Sequence, residues 1–286
     1  MAKKEVDKKN FRADCAYFIG KTHLVCQDYA RVGDTVDTVY AIVSDGCSSS
    51  PDTDCGARIM TLEAEKICKC EKEIDGNVLA MNVRDKINSL GLNPMASDAT
   101  LMVMRANRAQ AVFTVYGDGV IVAKNREDRG GSIFVAVITS PCNYPIYLSY
   151  RIDSARRDSL LQVSNGISEV NSVIVGKDGT VKADDFVGDL RTCLPFAPIE
   201  CSLNTANYEW ATIMTDGAQS FYDLLITETS KSTEAIPCET IVRDALQFKG
   251  YNGQFVHRRI KQYLEECAKK NRFHADDFTA ATIYFG

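Results

Sequence analysis

The sequence contains no apolar run close to the roughly 20 residues that a membrane-spanning helix needs. Its first residues, MAKKEVDKKNF, also lack the apolar core of a secretory signal peptide. A surplus of positive charge is absent too, because 33 Lys and Arg stand against 38 Asp and Glu, a net charge of −5. Binding a nucleic-acid backbone needs a concentrated positive field. We therefore expect neither a membrane nor a nucleic-acid partner.

The chain has no linker rich in Pro, Gly or Ser and no internal repeat. With 45% hydrophobic and 25% charged residues over 286 positions, it has the composition of a globular protein with a full core. We expect one domain over residues 13–286, a weakly ordered N-terminus over 1–12, and a monomer. The 11 cysteines are an odd number, which favours free thiols in a reducing cytoplasm.

Secondary structure is predicted from hydrophobic periodicity. Short runs rich in β-branched and aromatic residues predict strands at 15–19, 38–44, 101–105, 112–116, 120–123, 133–139, 172–175, 211–215 and 280–285. Helical spacing predicts helices at 54–72, 78–90, 220–226, 239–248 and 254–270. Because the helices come in pairs instead of alternating with strands, the pattern favours an α+β fold with mostly antiparallel sheets.

Two further segments are interpreted from composition. Residues 166–207 are dense in Gly, Asp, Ser and Asn, and we expect a variable, flap-like surface excursion there. The charge run 151–158 is interpreted as a solvated strand edge in preference to a docking patch. We expect His274 to be an exposed loop residue, with a role near a metal site as the alternative.

Acidic residues stand at the ends of several predicted strands, in Ser44-Asp45-Gly46, Tyr116-Gly117-Asp118-Gly119, Thr215-Asp216-Gly217 and Asp276-Asp277. Each alone is typical of a turn, and Asp118-Gly119 has the pattern of a two-residue hairpin. Together, however, carboxylates at the strand ends of one sandwich would repel one another unless cations neutralised them. Mg²⁺ and Mn²⁺ prefer such oxygen ligands, so a metal site is the alternative to ordinary turns.

The order of these motifs resembles the metal-dependent serine/threonine protein phosphatase family, type 2C, as a divergent bacterial-type member. The matching residues run through Cys26-Gln27-Asp28, Ser44-Asp45-Gly46, Ser97-Asp98-Ala99-Thr100-Leu101, Tyr116-Gly117-Asp118, Thr215-Asp216-Gly217 and Asp276-Asp277-Phe278-Thr279. The resemblance implies a four-layer α/β/β/α sandwich with two, or with a third weaker ion three, Mn²⁺ or Mg²⁺ ions at one end. It implies hydrolysis of phosphoserine and phosphothreonine monoesters by a metal-held water, with a phosphoprotein substrate and a cognate serine/threonine kinase as partners.

The same resemblance implies the roles of the site residues. Asp45 would bridge two ions, the Gly46 carbonyl would bind one of them, and Asp216 and Asp276 would bind the other. Asp28 would orient the attacking water, and Asp118 would bind a third, weaker ion. Asp277 stands where the family usually has Asn, and we count it with the metal-site candidates.

The sequence also departs from the family pattern. The arginine that many members carry before the Gln-Asp pair is missing, and Lys21-Thr22-His23 occupies that stretch, so we expect Lys21 or His23 to hold the phosphate. Cys47 replaces the usual His or Met, and Gly119-Val120 replaces Ser-Arg. These departures leave two alternatives: a phosphatase-like module that binds or regulates a phosphoprotein without catalysis, and an enzyme acting on a small phosphate ester.

Overall fold

The structure is a computed structural model that describes residues 11–70, 73–140, 142, 144–183, 195–226 and 230–286. Residues 1–10, most of the N-terminus expected to be weakly ordered, lie outside the described residues, as does Cys193. The ten cysteines that are described are free thiols, as predicted. No helix within these ranges is long and apolar enough to cross a membrane.

The described part of the chain contains fifteen strands and five α-helices. The strands are β1 (Arg12–Phe18), β2 (Asp28–Asp34), β3 (Val39–Asp45), β4 (Leu101–Ala106), β5 (Gln110–Tyr116), β6 (Gly119–Asn125), β7 (Ile133–Thr139), β8 (Glu169–Val175), β9 (Val181–Ala183), β10 (Ile199–Asn204), β11 (Tyr208–Met214), β12 (Phe221–Ile226), β13 (Lys231–Ala235), β14 (Arg272–His274) and β15 (Phe278–Tyr284). The helices are α1 (Thr53–Lys69), α2 (Gly76–Ser89), α3 (Ser154–Leu160), α4 (Cys238–Ala245) and α5 (Phe255–Lys269).

Two large antiparallel sheets pack face to face. One has seven strands in the order β1-β15-β11-β6-β7-β8-β9, and the other has five in the order β10-β5-β4-β3-β2. Strand β3 shows how alternation builds the layers. Its Ala41 and Val43 enter the core between the sheets, whereas Tyr40 and Ile42 pack under α1 and α2.

Helix pairs cover both outer faces. Helices α1 and α2 lie on the five-stranded sheet. The N-cap of α2 is Asp75, whose carboxylate accepts hydrogen bonds from the backbone N–H groups of Asn77 and Val78. Helices α4 and α5 pack on the seven-stranded sheet around Trp210 and Phe278. The predicted α+β, four-layer α/β/β/α sandwich is therefore confirmed.

The predicted helix at 220–226 is wrong, because this segment is strand β12. It pairs with β13 and β14 in a small third sheet, and Arg272 of β14 donates from Nε to Asp223 Oδ1 at 2.9 Å. A short apolar run fits a helix or a strand equally well by periodicity. The segment is a strand because β13 and β14 pair with it on both sides. His274, expected in an exposed loop, is half-buried in β14.

The interpretation of 151–158 as a strand edge is also wrong. The segment includes the start of α3, whose N-cap Asp153 accepts a hydrogen bond from the Arg156 backbone N–H at 3.0 Å. An Asp placed directly before a helical stretch is an N-cap signal.

Within 166–207, the described residues include strands β8, β9 and β10. Strands β9 and β10 are edge strands of the two large sheets, and β8 lies between β7 and β9. Strand β10 alternates buried and exposed positions along Ile199–Asn204. This period of two was readable from the sequence, although the surrounding polar residues obscured it. The expected variability of the segment stays a prediction.

Asp118-Gly119 is not a hairpin, because the strands on either side of it belong to different sheets. Strand β5 lies in the five-stranded sheet and β6 in the seven-stranded one. The chain crosses between them with Gly117 at φ +95° and Gly119 at φ +143°, values that favour glycine. A Cβ on Gly119 would lie 2.7 Å from the Met214 carbonyl oxygen. This crossing places Asp118 at the end of the sandwich.

Candidate metal centre and active site

Two of the predicted carboxylates face each other across adjacent strands. Asp28 and Asp45 are direct partners in the antiparallel β2–β3 ladder. The Thr215 hydroxyl donates to Asp28 Oδ2 at 2.7 Å, whereas the buried Asp28 Oδ1 has no hydrogen-bond partner. Burial raises the pKa of Asp28, and burial together with the charges of Asp28 and Asp216 raises the pKa of Asp45.

The seven-stranded sheet supplies further carboxylates at the same end. Thr215 follows β11, and its backbone N–H donates to the Thr279 carbonyl at 3.2 Å, which brings Asp216 beside the start of β15. Burial and then the charge of Asp276 raise the pKa of Asp216 to about 6. Burial and then the charge of Asp216 raise the pKa of Asp118 to about 7. The structure therefore brings Asp28, Asp45, Asp118, Asp216 and Asp276 into one electrostatically coupled group.

The glycines after two of these aspartates are required by close backbone packing. A Cβ on Gly46 would lie 2.5 Å from the Thr53 carbonyl oxygen, and one on Gly217 would meet the Asp277 carbonyl. The Gly46 backbone N–H also donates to the Gln27 carbonyl at 3.2 Å. Each Asp-Gly pair is thus held against a neighbouring segment, which orients the aspartate at the strand end.

The chemistry of this carboxylate group fits a divalent cation. All of its side-chain donors are oxygens, the type that Mg²⁺ and Mn²⁺ prefer, and the unpartnered Asp28 Oδ1 is a buried acceptor that a cation or its water would satisfy. Among the described residues, no group of three His, Cys, Asp or Glu side chains is arranged as it stands to hold an ion. The argument that a divalent cation fits this group therefore depends on the oxygen donors and on the repulsion between the carboxylates.

Of the two candidate phosphate-holding residues, only His23 is brought to the carboxylates. Its Nε2 lies 3.3 Å from Asp276 Oδ1, and its Nδ1 lies 3.1 Å from Asp277 Oδ2. The Lys21 ammonium instead lies over the Phe273 ring, 4.4 Å from the centroid.

Asp277 is turned toward the loop that carries His23. Its Oδ1 accepts a hydrogen bond from the Gly20 N–H at 2.7 Å, and its Oδ2 accepts one from the Gln27 N–H at 2.6 Å. The side chain is almost completely buried. Because both oxygens already have donors, this geometry favours Asp277 as the residue that closes the loop between Gly20 and Gln27, in contrast to the unpartnered Asp28 oxygen.

An ion pair next to the site, between the partly exposed Arg156 and the buried Asp98, was missed at the level of sequence. Arg156 Nη1 and Nη2 donate to the two carboxylate oxygens of Asp98 at 2.7 and 2.8 Å. Asp98 also accepts from the Ser50 hydroxyl at 2.9 Å, and its carbonyl accepts from the Cys47 N–H at 2.8 Å. Asp98 thus connects α3 to the segment that follows Asp45-Gly46. The charge run 151–158 contained Arg156, but nothing in the spacing pointed to a partner 58 residues away.

Cys47, the residue that departs from the family pattern, lies in a hydroxyl-rich setting. Burial alone would raise its pKa, but hydrogen bonds from Ser49 and Tyr147 outweigh burial and lower it. Burial, the contact with Cys47 and the charges of Asp45 and Asp118 raise the pKa of Tyr147. Tyr147 therefore interacts with Cys47 and also senses the charges of Asp45 and Asp118.

The fold is a sandwich of two antiparallel sheets between helix pairs, with aspartates gathered at one end. The family model described as Protein phosphatase 2C matches residues 20–265. The chain belongs to this family. Among curated proteins, no sequence matches it significantly.

Solved structures resemble the chain in fold. A bacterial serine phosphatase has 14% identity and a TM-score of 0.53, with 97% of this chain and 98% of that chain covered. The serine-threonine phosphatase 2C of Toxoplasma gondii has 13% identity and a TM-score of 0.53 over 96% and 95% of the two chains. A structure described for the bacterial stressosome has 10% identity and a TM-score of 0.50 over 96% and 100%. Identities this low establish the shared fold alone.

Proposed function

We propose that the protein is a Mn²⁺- or Mg²⁺-dependent phosphatase that hydrolyses phosphoserine and phosphothreonine monoesters in proteins. The observation that carries the proposal is the coupled carboxylate group at the end of the sandwich, in a chain that belongs to the protein phosphatase 2C family. We further propose that the protein is a monomer, that it acts in the cytoplasm, and that its substrates are phosphoproteins produced by a serine/threonine kinase.

The ions would be held by Asp45, the Gly46 carbonyl, Asp216 and Asp276, with Asp118 as the ligand of a third. When bound, they would acidify a water molecule and neutralise charge that develops on the phosphoryl oxygens. The raised pKa values of Asp45, Asp118 and Asp216 support this assignment, because a cation removes the repulsion that raises them.

The chain's own residues would position the reactants. The unpartnered Asp28 Oδ1 is available to accept a hydrogen bond from the attacking water, and Thr215 fixes the orientation of this carboxylate through the other oxygen. His23, beside Asp276, is the residue best placed to donate a hydrogen bond to a phosphate oxygen. Asp277 holds the His23 loop in place through two backbone N–H groups.

The test is hydrolysis of p-nitrophenyl phosphate and of a phosphoserine peptide with added Mn²⁺. EDTA, Asp45→Ala and Asp216→Ala should each abolish turnover. Asp85→Ala, which changes an exposed aspartate on α2, should leave turnover at the wild-type rate. Activity that survives EDTA or both site substitutions would refute the proposal.

A second candidate function is a phosphatase-like module that binds a phosphoprotein or regulates a partner without catalysis. Two observations favour it: Cys47 replaces the usual residue after Asp45-Gly46, and no arginine lies between Arg12 and Asp28. Mn²⁺ titration by calorimetry discriminates the two. Two bound ions support the enzyme, whereas no binding at millimolar Mn²⁺ supports the module. A panel of phosphopeptides and phosphorylated metabolites separates the remaining alternative, a small phosphate ester as substrate.

A further inference from the structure

The direction of the Gly46 carbonyl is fixed by a hydrogen bond on the other side of the same peptide unit. The Cys47 N–H donates to the Asp98 carbonyl at 2.8 Å, and Gly46 forms an antiparallel bridge with Ala99. A trans peptide unit is planar, so its N–H and C=O groups point in opposite directions. The Gly46 carbonyl therefore points away from Asp98. No described residue donates a hydrogen bond to this carbonyl, which leaves it free to bind a cation.

Asp98 is in turn held in place through its side chain. Its two carboxylate oxygens accept from the Arg156 guanidinium at 2.7 and 2.8 Å, a bidentate geometry that fixes orientation as well as distance. The Ser50 hydroxyl donates to Oδ2 at 2.9 Å, and the Ser149 hydroxyl donates to Oδ1 at 3.4 Å. Arg156 thus supplies the two shortest of the four bonds that determine where Asp98 and its carbonyl lie.

The same stretch of chain also holds Asp45. The Thr100 N–H donates to the Asp45 carbonyl at 2.8 Å, and the Thr100 hydroxyl accepts from the Asp45 N–H at 3.1 Å. Residues 98–100 are therefore hydrogen-bonded to Asp45 and to Cys47, the residues on either side of Gly46. A displacement of Asp98 would reach the Gly46 carbonyl through a single hydrogen bond.

We propose that Arg156 and Asp98 are positioning residues that set the affinity of the site for Mn²⁺ or Mg²⁺ by orienting the Gly46 carbonyl. The inference rests on the proposed function and adds to it two residues that act through others. Removing groups that orient a metal ligand through hydrogen bonds typically lowers metal affinity by about 10- to 100-fold. Charge alone predicts the opposite sign, because loss of the Arg156 positive charge would favour a nearby cation.

The experiment measures Mn²⁺ binding by calorimetry and stability by urea unfolding for three proteins: the wild type, Arg156→Ala, and Arg156→Ala combined with Asp98→Asn. We expect Arg156→Ala to raise the Kd for Mn²⁺ about tenfold. The double variant buries no unpaired carboxylate, so it should regain part of the lost stability. Its Kd should nevertheless stay about tenfold above the wild-type value, because residue 98 still lacks its anchor on α3. If Arg156→Ala does not fold, the double variant gives the comparison.

Hydrogen–deuterium exchange of the metal-free protein provides a readout that is independent of the ion. The Cys47 amide should exchange about tenfold faster in Arg156→Ala, because the carbonyl that accepts its hydrogen bond is no longer held in place. Arg31→Ala is the matched control. Arg31 also donates to a buried carboxylate, that of Glu65 at 3.1 Å, but this pair joins β2 to α1 instead of α3 to residues 98–100. Its Kd for Mn²⁺ and its Cys47 exchange rate should equal those of the wild type.

Each outcome separates the positioning role from the enzymatic one. A wild-type protein that binds Mn²⁺ and a folded Arg156→Ala with the same Kd would overturn the inference and leave the proposed function intact. A double variant that regains the wild-type Kd would also overturn it, because the effect would then follow stability alone. The expected shift in Kd without hydrolysis of phosphopeptides would uphold the positioning role and refute the enzyme. A wild-type protein that binds no Mn²⁺ would overturn both.

Discussion

Asp28 and Asp45 stand directly opposite each other in the β2–β3 ladder, and one oxygen of Asp28 is buried without a hydrogen-bond partner. Like charges at such cross-strand positions are destabilising, and burial strengthens the effect because water screens it less. The sandwich thus contains a destabilising charge pair at the site where we propose that cations bind.

Asp45→Asn should stabilise the metal-free protein at pH 8 by about 0.5 to 1 kcal/mol, because it removes one charge of the pair. In saturating Mn²⁺ the variant should instead be less stable than the wild type. It loses a metal ligand and with it the stabilisation that ion binding gives the folded state. Urea unfolding with and without Mn²⁺ measures both effects. Asp85→Asn, on an exposed part of α2, should change neither value, and a loss of stability of metal-free Asp45→Asn would contradict the prediction.

The metal-free protein should become less stable as the pH rises from 5 to 8. The pKa values of Asp118 and Asp216 are raised to about 7 and about 6, so the folded state binds more protons than the unfolded state between about pH 4 and pH 7. Stability is then fully present below the unfolded pKa and is lost as the pH rises through the folded pKa. Thermal unfolding across this range measures the slope.

Asp118→Asn provides the control for that slope, because an amide does not titrate and the variant should lose part of the decline between pH 5 and 7. Saturating Mn²⁺ should flatten the profile, since a bound cation favours the ionised carboxylates. A stability that rises from pH 5 to 8 in the absence of metal would contradict the predicted sign.

Arg156→Ala should lower the free energy of unfolding by about 3 kcal/mol, because it leaves the buried Asp98 carboxylate without its bidentate partner. Arg157→Ala is the matched control: its partner Asp158 is exposed and lies 3.9 Å away, so the effect should stay within about 0.5 kcal/mol. Chemical denaturation compares the two. Adding Asp98→Asn to Arg156→Ala should recover part of the loss, and equal effects of the two arginine substitutions would refute the assigned role.

Asp277→Asn should loosen the loop that carries His23. An amide side chain has one acceptor oxygen, so only one of the Gly20 and Gln27 N–H groups keeps its acceptor. We expect a loss of about 1 to 3 kcal/mol and faster amide exchange over residues 20–27, measured by hydrogen–deuterium exchange. The control is Asp75→Asn at the start of α2, where asparagine caps as well as aspartate. Unchanged exchange in Asp277→Asn would show that other contacts hold the loop.

Much of the architecture was predictable from local patterns. Strand β3, for example, is a run of β-branched and aromatic residues that ends at Asp45-Gly46, and α5 follows helical spacing through Phe255, Ile260 and Cys267. The segment 220–226 was not predictable, because its apolar residues fit either period and only the neighbouring β13 and β14 decide that it is a strand.

The sequence by itself determined the family, through the order of its aspartate motifs, and the layered α+β fold, because hydrophobic periodicity records which face of each element is buried. Tertiary structure alone decided which side chains meet. In the tertiary structure Asp28 lies opposite Asp45, and Arg156 binds Asp98. Asp277 accepts hydrogen bonds from the 20–27 loop, and Lys21 packs on the Phe273 ring. These contacts join residues far apart in the chain, and their distances depend on how the sheets and loops pack, which local periodicity does not encode.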